Sequence, residues 1–316
     1  MPKVFIDGEA GTTGLGIRDR LRDRRELTVR SIAPEYRKDH AARRDLMAEV
    51  DLVVLCLPDP AAIEAVELAH SLGADAPKLL DASTAHRVHP AWVYGFAELE
   101  PGQPARIAGA ARVANPGCYP TGAIALLRPL VDAGFLTEEH PISINAVSGY
   151  SGGGKAMIEA HEREGGPPFE LYGLSLTHKH VPETETYGAL GRRPIFVPSV
   201  GHFAQGMLVS IPLHLDLLAG RPEGADLRAV LAERYRGCPL VAVADGTEAG
   251  KLRPDALNGT DRLELFVFAN DHSRQAVLVA RLDNLGKGAS GAAVQNIGLM
   301  LGLDAPGSVF GARIGG

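Results

Sequence analysis

Val4-Phe5-Ile6-Asp7-Gly8-Glu9-Ala10-Gly11-Thr12-Thr13-Gly14 is the stretch that decides the fold. A short apolar run ends at Asp7, glycines recur at every third position, and an amphipathic segment carrying Leu15, Ile17 and Leu21 follows at once. The order reads as strand, glycine turn, helix. Gly8, Gly11 and Gly14 let such a turn tighten, let backbone approach a pyrophosphate, and aim the free amides of a helix start at its charge. The spacing is G-x-x-G-x-x-G rather than the commoner G-x-G-x-x-G, so the dinucleotide reading rests on the strand before it and the helix after it. Further apolar runs at 27–32, 52–57 and 78–81 alternate with helical stretches, as in a doubly wound parallel sheet.

Beyond about residue 140 the pattern changes to period two, at 142–147, 206–211, 263–268 and 275–281. Alternation implies strands with one wet face, and with a helix over 226–235 it predicts a mixed or antiparallel sheet. The glycine-rich segment Gly286 to Gly291 starts a final helix with Ala293, Ile297, Met300 and Leu301 on one stripe, which is expected to pack back on the first domain. The expected fold class is therefore α/β, a Rossmann-type doubly wound dinucleotide-binding domain plus an α+β substrate and dimerisation domain. The boundaries expected are 1–117, completed by 286–316, and 118–285. The glycine-rich tail after Gly307 is expected to lie loosely on the surface.

Composition narrows the function. With 316 residues and 45% hydrophobic, the chain is long enough for two cores, and a formal charge of −6 gives no nucleic-acid footprint. The arginines of 18–25 and 37–44 alternate with acids, which reads as solvated helix faces. No stretch approaches the length of a membrane span and the chain passes at once into a strand, so a cytoplasmic protein is expected, without membrane partners. Three scattered cysteines, Cys56, Cys118 and Cys238, indicate neither a disulfide framework nor a zinc site, and no metal is expected. Cys56 lies in an apolar run and reads as packing.

Asn115-Pro116-Gly117-Cys118-Tyr119-Pro120-Thr121 carries the chemistry. Ala123, Leu126, Leu127 and Leu130 recur at helical spacing, and Pro120 suits a first helical turn, so Cys118 stands at a helix start. Free amides and the positive end of the helix dipole favour thiolate there, and the thiolate is the nucleophile. A dinucleotide fold joined to such a thiol suggests covalent catalysis coupled to hydride transfer, since a thioester accepts hydride more readily than a carboxylate. A proton shuttle is then needed. In His178-Lys179-His180-Val181-Pro182-Glu183, a proline and acids mark a helix start; His180 is the choice for acid/base and His178 its rival. His202 and His214, in apolar surroundings, read as structural.

Several stretches together resemble the N-acetyl-gamma-glutamyl-phosphate reductase family, of the aspartate-semialdehyde dehydrogenase superfamily. They are Gly8 to Gly14, Asp81 to Arg87, Ala114 to Thr121, Ser148 to Lys155, His178 to Glu183 and Asp283 to Asn296, spanning nearly the whole chain in order. The Pro-Gly-Cys-Tyr-Pro-Thr run is the most specific. The length is closer to the family's shorter subfamily, and Lys155 stands where longer members end the glycine-serine segment with arginine.

The resemblance implies NADPH-dependent reduction of an acyl phosphate to a semialdehyde in arginine biosynthesis, with Cys118 as nucleophile and His180 as acid/base. It implies a cofactor site of Gly8, Gly11, Thr12, Thr13, Gly14, Ser83 and Asn296. Ser31, Arg37 and Lys38, after the second strand, are candidates for the 2′-phosphate of NADP, although Glu35 beside them is an acid of the type that reads a ribose 2′-hydroxyl. The small-molecule substrate is expected on Asn115, Ser148, Gly149 and Glu183, with Arg87, Arg112, Lys155 or Lys179 meeting its anionic groups. A homodimer or homotetramer is expected. Two alternatives stay open: a related aminoadipyl-phosphate or aspartyl-phosphate reductase, and a non-catalytic NADP sensor.

Overall fold

The computed structural model describes residues 1–246 and 250–310, in two compact units. The first comprises Met1–Ala97, Gly102–Pro116 and Ala289–Pro306. Its strands are β1 (Lys3–Asp7), β2 (Thr28–Arg30), β3 (Leu52–Leu55), β4 (Lys78–Asp81), β5 (Val93–Tyr94) and β6 (Arg112–Ala114). They form one sheet in the order β2-β1-β3-β4-β6-β5, with every neighbour parallel. Helices α1 (Thr12–Leu21), α2 (His40–Ala48), α3 (Asp59–His70) and α4 (Gln103–Gly109) supply crossovers. β3 is wholly apolar and buried, and in β4 Leu79, Leu80 and Asp81 are buried, because both sheet faces are covered. The chain leaves β1 toward β2 on one side and returns to β3 on the other. The carboxyl end of β1 is therefore the switch point where such sheets bind ligands.

The second unit comprises Glu98–Pro101, Gly117–Gly288 and the described residues from Gly307. It holds α5 (Cys118–Asp132), β7 (Ser143–Gly149), α6 (Gly154–Arg163), β8 (Phe169–Leu171), α7 (Val181–Tyr187), β9 (Ile195–Gly201), β10 (Met207–His214), α8 (Gly224–Arg234), β11 (Val241–Val243), β12 (Leu263–Asn270) and β13 (Gln275–Leu282). The sheet order is β11-β12-β13-β10-β7-β9-β8. It is mixed, with β7–β9 and β11–β12 parallel and the remaining pairs antiparallel. α5 packs on β10 and β13, and α8 on β12, which covers one face. The last helix, α9 (Gly291–Met300), clusters with the first unit against α1, α4 and β4.

Packing departs from the sequence reading at several places. Arg43, assigned to a solvated face, is buried against Asp7 at 2.7 Å, because an isolated carboxylate at the end of β1 needs a cation. Leu15 is exposed while Ile17 and Leu21 fill the core face of α1. The second sheet's open face is not wet in composition: Phe169 and Leu171 stand 57% and 47% exposed near Val147, Leu208 and Val277. Of the tail after Gly307, Val309 and Phe310 are buried, and residues 311–316 lie outside the described residues.

Candidate active site

In the first unit, β1 runs into the glycine turn and α1 begins at Thr12, capped by Gly11. Gly8 sits at φ 90°, and a Cβ there would collide with the carbonyl of Cys56. Only glycine meets both demands. Thr12 and Thr13 occupy the first turn of α1 and Gly14 packs beneath it, so amides without helical partners face outward from the switch point. Glu9 accepts from Ser31 Oγ at 2.8 Å, Arg18 at 3.1 Å and Arg37 at 3.2 Å. Lys38 is exposed nearby in sequence.

The end of β4 is locked by its own side chains. Asp81 accepts from the Ser83 amide and hydroxyl and contacts His86 Nδ1 at 2.6 Å, while His86 stacks on Trp92. The Ser83 hydroxyl, a cofactor candidate, is thus engaged in shaping its own turn. Arg87 is buried, and its guanidinium donates to the Asn115 and Ala82 carbonyls. Asn115 donates to the Ala289 carbonyl and accepts from Asn296 Nδ2 at 3.0 Å, which ties β6 to α9. Asn296 also donates to the Gly95 carbonyl, whereas its own Oδ1 is buried with no hydrogen-bond partner among the described residues. The glycine turn and this unsatisfied amide oxygen fit a dinucleotide with a carboxamide to be recognised. Arg112 is a correction. It opens β6, at the amino end of the sheet beside His70, whose proton affinity is lowered by burial and further by the Arg112 charge, so it stands opposite the carboxyl-end loops.

In the second unit, Cys118 is the first residue of α5, partly exposed, with Gly117 as the cap. α5 forms here because the segment from Tyr119 to Leu130 is apolar and buried on nearly every side, which drives the helix; Cys118, at its start, is partly exposed between buried neighbours. A Cβ on Gly288 would come within 2.8 Å of Cys118 Cβ, so the glycine admits backbone against the thiol-bearing residue. The preceding amide, Gly117 N–H, donates to Glu183 at 3.0 Å. Glu183 lies in the first turn of α7, which His180 caps. The starts of α5 and α7 are thereby joined, and the Tyr119 ring lies 5.9 Å from His180 and 6.1 Å from His178.

The two histidines differ. His178 Nδ1 accepts from the His180 amide at 3.2 Å, so a neutral His178 carries its proton on Nε2. Burial, reinforced by Lys179, pushes its pKa down to about 4. His178 is therefore neutral at pH 7 and organises the turn that places His180. Burial holds the Tyr119 phenol well above the usual range, and Tyr172, which donates to it, is pushed up to about 12. Cys56 is pushed up to about 12 by burial beside Asp81 and Asp7, which leaves it an inert thiol. His202 and His214 are exposed, contrary to expectation; His202 Nδ1 lies 2.9 Å from His161 Nδ1.

Ser148 and Gly149 end β7, with Ser148 Oγ donating to the Gly149 carbonyl. Lys155 is exposed at the start of α6. The adjoining loop is clamped by two residues that sequence reasoning assigned no role: Asp283 accepts from Gln205, the Gly259 amide and the Leu285 amide, and Asn284 bridges Gly206 and Ser151. Lys287, before Gly288, donates to both oxygens of Glu98 at 2.8 and 2.7 Å, with each residue 1% exposed. Only their place inside a family-like stretch hinted at these. Among the described residues no cluster of His, Cys, Asp or Glu has metal-ligand geometry.

The model of the semialdehyde dehydrogenase dimerisation domain matches residues 118–284. The chain is 56% identical over 309 residues to the N-acetyl-gamma-glutamyl-phosphate reductase of Brucella ovis, covering 95% of this chain and 99% of that one. The Brucella canis relative matches at the same identity and coverage. Among solved structures, aspartate semialdehyde dehydrogenase II from Vibrio cholerae, complexed with ASA, superposes with a TM-score of 0.72 at 17% identity, over 95% of this chain and 98% of that one. Aspartate semialdehyde dehydrogenase with NADP from Candida albicans gives 0.65 at 14%, over 95% and 98%. At such identities these two likenesses establish the fold.

Proposed function

This chain belongs to the N-acetyl-gamma-glutamyl-phosphate reductases and is an oxidoreductase of arginine biosynthesis; we propose that its reduction of N-acetyl-gamma-glutamyl phosphate to the semialdehyde runs through a thioester on Cys118. The observation that carries this reading is a partly exposed cysteine at the first position of α5, with Gly288 backbone against it and the His180-capped helix tied to it through Glu183. The Cys118 thiolate attacks the acyl carbon, the bond from that carbon to the phosphate oxygen breaks, and phosphate departs with the electron pair and takes one proton from solvent. Amides at the α5 start hold the developing oxyanion. A reduced nicotinamide, when bound, supplies hydride to the acyl carbon. His180 gives a proton to the resulting oxyanion and takes it back as the carbon–sulfur bond breaks, which releases the semialdehyde and restores the thiolate. His180 ends the cycle unchanged, and the proton consumed leaves on phosphate.

Residues 1–117 and the closing helix are the cofactor part in this reading, with Gly8, Gly11, Thr12, Thr13 and Gly14 around the pyrophosphate and Asn296 on the carboxamide. Residues 118–285 carry the chemistry. The 2′-phosphorylated cofactor is supported by Ser31 and Arg37 after β2. Lys155 is the cation assigned to the substrate's anionic groups, because its ammonium is exposed at a helix start whereas Arg87 is engaged with carbonyls. The apolar open face of the second sheet, with a hollow of about 650 Å³, supports self-association there. Three cysteines without a disulfide support a reducing, cytoplasmic setting, and among the described residues no helix is long and apolar enough to cross a membrane.

The test is phosphate-dependent oxidation of N-acetylglutamate semialdehyde, followed by reduced-cofactor absorbance, with aspartate semialdehyde in parallel. Turnover of the acetylated substrate is expected. Turnover of aspartate semialdehyde alone would overturn the substrate assignment, and silence with both would favour a cofactor sensor.

A further inference from the structure

The acid of the glycine turn is where the sequence motif leaves a charge unexplained. Glu9 follows Gly8, at the switch point, yet the residue is only 5% exposed. A carboxylate so buried needs partners, and it has three: Ser31 Oγ, Arg18 and Arg37. Two of these, Ser31 and Arg37, lie just past β2, where a Rossmann fold reads the 2′ position of the adenosine ribose. The donors that suit a 2′-phosphate therefore already converge on an internal anion.

We propose that Glu9 sets the choice between the two nicotinamide cofactors, by competing with the 2′-phosphate for Ser31 and Arg37. The inference rests on the reading of these residues as the adenosine end of the cofactor site. Two guanidiniums and one carboxylate leave the cluster with one net positive charge. A 2′-phosphate brings between one and two negative charges of its own. It can bind Arg37 only if the guanidinium turns from Glu9 or if the two anions share it, and either route costs affinity. The 2′-hydroxyl of NADH carries no such charge and meets no such penalty; Glu9 can accept a hydrogen bond from it. Glu9 thus narrows a preference for NADPH that the arginines alone would make wide. Arg18 stays on Glu9 in both situations, because its contact to Oε2 comes from α1 rather than from the segment after β2.

The test compares the full chain with its Glu9→Gln variant by calorimetric titration of NADPH, NADH, adenosine 2′,5′-bisphosphate and AMP. Removing one unit charge a few ångströms from the phosphate is expected to tighten NADPH and adenosine 2′,5′-bisphosphate by about tenfold or more. NADH and AMP should change by less than about threefold, or weaken. A ratio of the phosphorylated to the unphosphorylated ligand that stays as in the parent chain overturns the proposal, as does a parallel loss of all four. Should Glu9→Gln fail to fold, a structure of the parent chain with adenosine 2′,5′-bisphosphate decides: Arg37 on the phosphate, alone or shared with Glu9, supports competition, and Arg37 on Glu9 alone contradicts it. A parent chain that binds NADH better than NADPH would refute the NADP reading, while the shift in ratio on Glu9→Gln would still stand or fall by itself.

Discussion

The amide of Gly117 donates to the buried carboxylate of Glu183 at 3.0 Å, so the cap residue of the helix that presents Cys118 is held by the helix that His180 begins. Two chemical groups 62 positions apart in sequence are thereby brought under one restraint.

Glu183 is a positioning residue on this account, and its conservative and disruptive variants should separate. Glu183→Leu leaves the Gly117 amide without its acceptor and should cost about 1–3 kcal/mol of stability, with kcat reduced more than KM rises. Glu183→Gln keeps an acceptor oxygen and should retain most of the rate. Equal losses of kcat in the two, with folding intact, would mean that the charge itself takes part in the chemistry.

His178 gives the fold a pH dependence with a definite sign. Its pKa falls from 6.5 to about 4 in the folded chain, chiefly through burial. Between those values the unfolded chain binds the extra proton, so stability is full above about pH 6.5 and declines as pH falls toward 4. With solvent screening allowed for, the loss is about 1–2 kcal/mol. Urea unfolding at pH 7 and 4.5 should show this slope in the parent chain and a shallower one in His178→Asn.

Lys287 and Glu98 form an ion pair sealed from water. Lys287→Met alone strands a buried carboxylate and should destabilise by about 3–5 kcal/mol, whereas adding Glu98→Leu should recover much of it. Denaturant midpoints of the single and double variants measure this. A double variant no better than the single would show that the pair contributes something an apolar contact does not.

How much of this was legible in the sequence depends on range. The β1–glycine turn–α1 unit, the period-two strands and the place of Cys118 at the start of α5 follow from local periodicity and caps, which act within a few residues. Arg112 shows the limit: its residue type suits an anion, but spacing does not say which end of a strand faces the site, and β6 puts it at the wrong one. Arg43 and the Glu98–Lys287 pair were illegible because a charge's burial is decided by a partner 36 or 189 positions away. The apolar open face of the second sheet was masked in the same way, since alternation marks two faces without saying what covers either. Glu9 lay inside the motif, yet its meaning required the three donors around it.

The central claim is the covalent role of Cys118, and intact-protein mass spectrometry tests it directly. Mixing the chain with N-acetyl-gamma-glutamyl phosphate in the absence of reductant should add one acyl group, released by hydroxylamine and mapped to Cys118. Cys118→Ala should show no adduct and lose at least about 10³-fold in kcat while binding cofactor as before. A Cys118→Ala protein that still reduces the acyl phosphate at a substantial rate would contradict the account.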